Sequence, residues 1–235
     1  MFTQIKPAPP HIQFTHESQT LHLMRSRSDH AAELMEGLTE SLNELKAFMP
    51  WAHFDNTVES QTQRLKDLES QWNLRKDFTY TLFLTQDDHS LKFVGCIGMH
   101  LKCLTQTGVE IGYWIRTTEA GKGLCTLATR LIVYTGFEIL KLRRMVLLCD
   151  TGNEASRRVM EKVGFQYEGT LRNGGFCDAP DDLFEKGWKA TGHTFLYSMI
   201  PEDYQKLSWT SGIKEGISFP APSLSSFSSP SSFSP

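Results

Sequence analysis

The sequence lacks the features that would suit nucleic-acid binding, a membrane span or a disulfide framework. Its 24 Lys and Arg residues are outnumbered by 27 Asp and Glu, and the net charge of -3 leaves no broad basic surface for nucleic acid. No apolar run reaches the length of a membrane span, and the first thirty residues hold no apolar stretch of signal-peptide length. The five cysteines form no CxxC pair with metal-ligand spacing. We therefore expect a cytoplasmic protein with reduced thiols and no metal, whose partners include neither nucleic acid nor a membrane.

The distribution of apolar residues predicts one folded domain between two loose segments. Residues 1–18 carry prolines and isolated polar residues, and we expect a flexible arm there. Residues 206–235 end almost wholly in Ser, Pro and Phe, a composition that predicts a disordered tail. The residues between them, 19–205, are numerous enough to bury a single core.

Apolar periodicity predicts that this domain mixes strands and helices. Alternating or continuous apolar runs predict strands at 21–23, 78–84, 91–101, 109–116, 145–149, from 165 onward and at 194–200. Helical spacing predicts five helices between them. The first is capped by Ser28 or Asp29, the second runs towards Phe48 and stops at Pro50, and the third begins with a capping box of Asn56 and Glu59. A long helix follows over 124–139, and a short one runs from Asn153 to Gly164.

A Gly-rich loop precedes the long helix. Glycines that enter a helix let backbone N–H groups converge on an anion, and the helix dipole adds partial positive charge at the same point. A pyrophosphate would fit there, although the same glycines are also typical of an ordinary strand-to-helix turn. The loop is neither the phosphate loop of nucleotide hydrolases nor the dinucleotide fingerprint. It consists of Ala120, Gly121, Lys122, Gly123, Leu124 and Cys125.

Seven short segments carry a resemblance to a known family. They are Phe48–Trp51, Glu110–Ile115, Gly121–Gly123, Asn153–Ser156, Glu161–Phe165, Glu168–Arg172 and Tyr197–Tyr204. Each segment is short, but their order and spacing together are specific. From about residue 20 to residue 204 the chain resembles the GNAT superfamily of N-acetyltransferases, in its RimJ/RimL-type branch of ribosomal-protein alanine N-acetyltransferases.

The resemblance implies an α+β fold of the GNAT type, with a mixed central β-sheet splayed at the cofactor cleft and flanked by helices. It also implies acetyl-CoA as the co-substrate, with its pyrophosphate on the Gly-rich loop. Ala120 stands where the family usually has Gln or Arg, and Cys125 where it has Gly or Ala, so we expect weaker cofactor binding through the backbone donors that remain. The cofactor-binding residues that the resemblance implies are Ile115, Arg116, Ala120, Gly121, Lys122, Gly123, Leu124, Cys125, Asn153 and Ser156.

Acetyl transfer from a thioester to an amine needs a neutral amine, a stabilised oxyanion and a proton for the leaving thiolate. The resemblance implies that Glu110 is the base, acting through water, and that Ser156 is the proton donor. The residues alone also permit Glu110 to be a strand-end carboxylate that faces solvent. They equally permit Ser156 to be an ordinary first-turn residue beside the helix cap at Asn153.

Three residues are candidates for contact with the acceptor. Trp51 matches a family position that borders the acceptor pocket, but a Trp after a helix-stopping Pro is just as compatible with core packing. Tyr113 lies where backbone N–H groups would polarise the acetyl carbonyl, while its side chain is more typical of the core. Arg172 would bind an acceptor carboxylate or pair with a neighbouring acid.

The leading interpretation is an N-acetyltransferase that moves the acetyl group of acetyl-CoA directly to a protein N-terminal amine. A small amine or polyamine is the alternative acceptor. A different class of function, a non-catalytic acyl-CoA-binding module, is also compatible with the altered loop. The sequence leaves the oligomeric state open between monomer and homodimer.

Overall fold

Nine strands form one mixed sheet in the computed structural model, which describes residues 5–54, 56–101, 108–174 and 188–221. The strands are β1 (His11–His16), β2 (Gln19–Arg25), β3 (Asp77–Thr85), β4 (Leu91–His100), β5 (Val109–Ile115), β6 (Met145–Asp150), β7 (Gln166–Leu171), β8 (Thr194–Met199) and β9 (Ile217–Ser218). The helices are α1 (Ala31–Lys46), α2 (Val58–Asn73), α3 (Leu124–Tyr134), α4 (Glu154–Val163), α5 (Pro201–Tyr204) and α6 (Thr210–Gly216). Within these ranges, no helix is long and apolar enough to cross a membrane.

The sheet opens between β5 and β6. Its strand order is β7-β8-β6-β5-β4-β3-β2-β1-β9, and β5 pairs with β6 in parallel, whereas β4 with β5 and β6 with β8 are antiparallel. The parallel pairing covers only Val109–Ile111 against Met145–Leu147. Beyond it, β5 continues beside β4 to Ile115 and β6 continues beside β8 to Asp150. The two halves therefore diverge at the carboxyl ends of β5 and β6, which confirms the predicted splayed GNAT fold.

Helices cover both faces of this sheet. The main core cluster joins α3, through Ala128, Leu131 and Ile132, to inward residues of the central strands such as Ile97 and Ile111. A second cluster joins α1 and α2 to the opposite face. Because successive strand residues point to opposite faces, the residues between those core positions in β3, β4 and β5 lie beneath α1 and α2. That face carries Asp77, His100 and Glu110.

Two details of the helices differ from the sequence expectations. A short 3₁₀ turn at Ser28–His30 leads into one continuous helix, α1 (Ala31–Lys46), where the sequence predicts two. Its mid-helix Gly37 lies directly on Phe93, where a Cβ atom would clash. The capping box of α2 consists of Thr57 and Ser60, with bonds of 2.9 and 3.1 Å. It does not involve Asn56, whose side-chain amide instead donates to the carbonyls of the preceding turn.

The expected arm over residues 1–18 contains a strand. Ile12 and Phe14 of β1 are buried, and β1 pairs along its whole length with β2. The expectation was wrong for residues 11–16 because the alternation of these two apolar residues is short and lies among prolines and histidines. Residues 1–4 lie outside the described residues.

The expected disordered tail over residues 206–235 also begins with structure. Trp209 donates its indole N–H to the carbonyl of Val163 at 3.0 Å, and Arg130 lies 5.4 Å above its ring. Ile213 of α6 is 3% exposed, and β9 pairs with β1. The disorder prediction was therefore wrong for residues 209–218, where a few large apolar residues find partners on α3, α4 and β1. Residues 222–235 lie outside the described part of the chain.

Candidate active site

A cavity of about 480 Å³ lies where the sheet opens. The end of α1, strand β5, the Gly-rich loop, the first turn of α3 and one face of α4 form its walls. The structure brings most of the predicted cofactor residues to this one place. Those that line it are Ile115, Ala120, Gly121, Gly123, Leu124, Cys125, Asn153 and Ser156.

The Gly-rich loop has the backbone geometry of an anion site. Gly121 and Gly123 have φ values of 77° and 80°, in the left-handed region that favours glycine. Gly123 is the N-cap of α3, and the first backbone bond inside the helix runs from Leu127 to Gly123 at 3.0 Å. The N–H groups of residues 124–126 thus precede the helical hydrogen-bond ladder and are available at the cavity wall. With the helix dipole, they suit a pyrophosphate.

Two predicted cofactor residues have other partners. The guanidinium of Arg116 donates to Glu36 and Glu40 of α1, at 2.6 Å each, and its backbone N–H donates to Val94. The Arg116 side chain therefore fastens α1 to the end of β5 and does not line the cavity, and its assignment to the cofactor stays a prediction. The ammonium of Lys122 lies outside the cavity lining and bonds to Glu119 at 3.0 Å.

Two cations that the sequence reasoning missed line the cavity instead. Arg158 and Lys162 are four residues apart on α4 and therefore share one face of that helix. Their neighbour Arg157 makes the ion pairs with Glu154 and Glu161 on the other side. The signal in the sequence was the spacing of the two cations on a helix predicted to flank the cleft. They provide positive charge for the phosphates of a nucleotide cofactor.

Tyr113 and Ser156 form a hydrogen-bonded pair in the cavity wall. The Tyr113 hydroxyl lies 3.0 Å from the Ser156 hydroxyl. The backbone N–H of Ser156 donates to the Asn153 side chain at 3.0 Å, so Asn153 caps α4 as predicted and fixes the first turn. Burial raises the pKa of Tyr113 well above its usual range, and the bond to Ser156 only partly opposes this. Tyr113 therefore keeps its proton at neutral pH.

A second cavity, of about 270 Å³, lies on the opposite side of Tyr113 and Trp114, between the sheet and the helices α1 and α2. Met49, Tyr113 and Trp114 line both cavities. Trp51 lines the second cavity, with its ring 6.4 Å from that of Trp114 and with the Arg64 guanidinium 5.0 Å above it. The candidate acceptor contacts Trp51 and Tyr113 thus lie together.

Arg172 does not join them. It lies exposed in the turn after β7 and lines neither cavity, so the structure does not support its assignment as an acceptor contact.

Glu110 lies on the sheet face beneath α1 and α2, directly opposite His100 in the β4–β5 register. Burial raises the pKa of Glu110, while the charge of His100 lowers it in part. Glu110 itself lines neither cavity, whereas His100 lines the second one. His100 is a residue that the sequence reasoning missed, and its Nδ1 lies 2.6 Å from a carboxylate oxygen of Asp77 on β3.

The thiols near the cleft are protonated groups. Burial raises the pKa of Cys149 to about 11, although a hydrogen bond with Ser156 acts in the opposite direction. Burial likewise raises the pKa of Cys125 to about 12. Neither cysteine is therefore a thiolate nucleophile at neutral pH, and this arrangement suits direct transfer.

The chain is similar in sequence to known acetyltransferases. Residues 20–166 match the family model described as Acetyltransferase (GNAT) domain. The ribosomal-protein-serine acetyltransferase of Escherichia coli (strain K12) is 26% identical over 168 residues, which are 71% of this chain and 90% of that protein. Bacillus subtilis (strain 168) YdaF is 41% identical over 80 residues, which are 34% of this chain and 44% of that protein.

The fold agrees with a solved relative. The structure of Mycobacterium smegmatis RimJ in complex with CoA-disulfide has a TM-score of 0.71 at 19% identity, and the match covers 88% of this chain and 94% of that one. This likeness shows the shared fold. Over three Bacillus subtilis relatives, the chain spans 44% to 63% of their length. The matched family domain runs from β2 to the beginning of β7 and contains the splay, the Gly-rich loop and α4. The chain belongs to the GNAT acetyltransferase family.

Proposed function

We propose that this protein is an acetyl-CoA-dependent N-acetyltransferase that acts by direct transfer. The observation that carries the proposal is the meeting of two cavities at Tyr113 and Trp114, where the sheet opens. One cavity has the anion-binding loop and the cations that a nucleotide thioester needs. The other has the polar sheet face on which an amine would be deprotonated. An amine in the second cavity and a thioester in the first would approach each other across that shared wall.

The chain's own groups account for cofactor binding. The N–H groups at the start of α3 would hold the pyrophosphate, and Arg158 and Lys162 would neutralise further phosphate charge. The pantetheine arm would follow β5 at the splay, where β5 beyond Ile111 has no partner in β6. Ala120 contributes no side-chain donor, so binding rests on the backbone and on α4.

The transfer requires a proton to move at two places, the amine and the thiolate. The amine must lose one before its nitrogen attacks the thioester carbonyl, and the departing thiolate must gain one. Ser156 and Tyr113 form the donor pair for the thiolate, since both hydroxyls are protonated and lie at the cofactor side. Glu110 lies on the acceptor side of β5 opposite His100, and burial raises the pKa of Glu110.

The acceptor that we propose is a protein N-terminal amine. The support is the relationship to the Escherichia coli ribosomal-protein-serine acetyltransferase, which extends over 90% of that protein. The acceptor cavity is also compatible with this class, because it is small enough for one terminal residue and has aromatic walls from Trp51 and Trp114.

A thiol-release screen tests both the activity and the acceptor class. Acetyl-CoA would be offered with peptides that begin with Ser or Ala, the same peptides N-acetylated as controls, spermidine and an amino sugar. We expect thiol release with the free peptides alone, and mass spectrometry should place the acetyl group on the terminal nitrogen. Preference for spermidine would replace the proposed acceptor with a polyamine. Cofactor binding without thiol release from any amine would replace the enzyme with an acyl-CoA-binding module.

A further inference from the structure

We propose that His100, oriented by Asp77, is the group that takes the proton from the acceptor amine. This inference deepens the proposed function and rests on its acetyl-transfer step, but it holds for any primary amine acceptor. It assigns to the Asp77–His100 pair the role of proton acceptor, which the family resemblance implied for Glu110.

The orientation of the imidazole follows from its partner. His100 Nδ1 lies 2.6 Å from Asp77 Oδ2, and the other oxygen of Asp77 accepts a hydrogen bond from Thr79 at 2.5 Å. A carboxylate can only accept, so the proton of the neutral imidazole resides on Nδ1. Nε2 then carries the lone pair that a base needs. Both side chains are mostly shielded, with exposures of 32% and 17%, so the pair is held in place.

Two glycines determine where Nε2 points. Gly98 and Gly112 face each other across β4 and β5. A Cβ atom at Gly98 would lie 2.8 Å from His100 Cε1, and one at Gly112 would lie 3.0 Å from Nε2. The ring therefore lies flat over both glycines, with Nε2 directed to β5 one residue before Tyr113. His100 and Gly112 line the second cavity together with Tyr113 and Trp114, which also line the first, so Nε2 lies in the wall of the cavity from which the amine would approach.

Glu110 is less well placed for direct contact. It is the register partner of His100, but it lines neither cavity, whereas His100 lines the acceptor cavity. The charged groups facing His100 are Asp77 from β3 and Glu110 from β5, and Arg64 from α2 lines the same cavity.

The proton and electron balance is complete without another reactant. The N–H bond of the acceptor ammonium breaks and its proton passes to Nε2, while the electron pair stays on the nitrogen. That pair attacks the thioester carbonyl carbon, and the C–S bond breaks as the tetrahedral species collapses. The thiolate takes a proton from the Tyr113–Ser156 pair. The nitrogen of the tetrahedral species still carries one proton more than an amide, and the loss of that proton restores the pair. His100 returns the first proton to solvent through the open acceptor cavity.

Chemical rescue tests the proposal. The substitution His100→Ala leaves a space of imidazole shape over the two glycines. We expect it to lower kcat/KM at least about a hundredfold with whichever amine the wild-type protein acetylates, and added imidazole to restore part of that rate. The affinity for CoA should stay unchanged. His53→Ala is the matched control, because His53 lines neither cavity and bonds to the carbonyl of Lys46; imidazole should not change its rate.

A second pair of variants separates chemistry from folding. His100→Gln and Asp77→Asn keep side chains of similar size, and we expect both variants to lower kcat with little change in the Kd of CoA. The loss should be larger in His100→Gln, because Asp77→Asn keeps the imidazole and loses only the carboxylate that orients it. A folded His100→Ala protein with activity within about threefold of wild type would overturn the proposal, and so would a large loss that imidazole does not restore. Those results, with an active wild type, leave the proposed function standing. A wild type that acetylates no amine would defeat both.

Discussion

Gly123→Ala tests the anion site and backbone strain separately. Gly123 has φ of 80°, and an added Cβ would meet no atom within 4 Å, so the substitution causes no clash within the protein. It forces alanine into the left-handed region, which costs about 1–2 kcal/mol. For a chain of this size we expect Tm to fall by about 2–8 °C. Because Gly123 lines the cofactor cavity, the methyl group also enters the space where the pyrophosphate would lie.

Gly192→Ala supplies the matched control. Gly192 has the same φ of 80°, and its added Cβ would meet only Asn173, at 3.8 Å. It lies outside the cavity lining, so the variant carries the strain without the obstruction. Calorimetric titration with CoA should show at least a tenfold weaker Kd for Gly123→Ala, or about 1.4 kcal/mol, and an unchanged Kd for Gly192→Ala. Equal affinities in the two variants, both folded, would refute the location of the pyrophosphate.

Three further changes are expected to have distinct effects. Truncation after Lys206 removes Trp209 and the buried Ile213, and denaturant unfolding should show that the free energy of unfolding falls by at least about 3 kcal/mol. A fall of less than about 1 kcal/mol would mean that α6 is not part of the core. Ser156→Ala and Tyr113→Phe should each lower kcat about a hundredfold with little change in the Kd of CoA, and threefold effects in both would remove the pair from thiolate protonation. Folding raises the pKa of Glu110 above 4.5, so this carboxyl group ionises in the unfolded chain at lower pH than in the folded one, and the free energy of unfolding falls as pH rises. Glu110→Gln should therefore stabilise the protein more at pH 7 than at pH 4. An equal effect at both pH values would contradict the burial argument.

The fold was largely predictable because its core elements carry strong local signals. The continuous apolar run at 145–149 became an interior strand, and Asn153 and Gly164 bound α4 as the capping rules predict. The segments that escaped prediction, β1 and α6, are short and owe their stability to distant partners. A two-residue alternation such as Ile12 and Phe14 becomes a strand only because β2 lies beside it.

The candidate site was predictable where backbone determines it and less so where side chains do. Gly121 and Gly123 identified the loop, since left-handed geometry limits the choice of residue. The partners of Arg116 were not predictable, because its ion pairs lie on α1, 76 and 80 residues away in sequence. His100 was missed because only the register of β3, β4 and β5 brings it to Asp77 and Gly112. No local sequence pattern predicts that strand register.

The pairing of β9 with β1 has a consequence for the order of folding. Phe14 of β1 pairs with Ile217 of β9. The outer edge of β1 is therefore covered by a strand that lies about two hundred residues later in the described chain. During synthesis the outer edge of β1 therefore stays open until nearly the whole described chain has left the ribosome. An open edge is a template for pairing between chains, and aggregation of nascent or truncated protein should begin there.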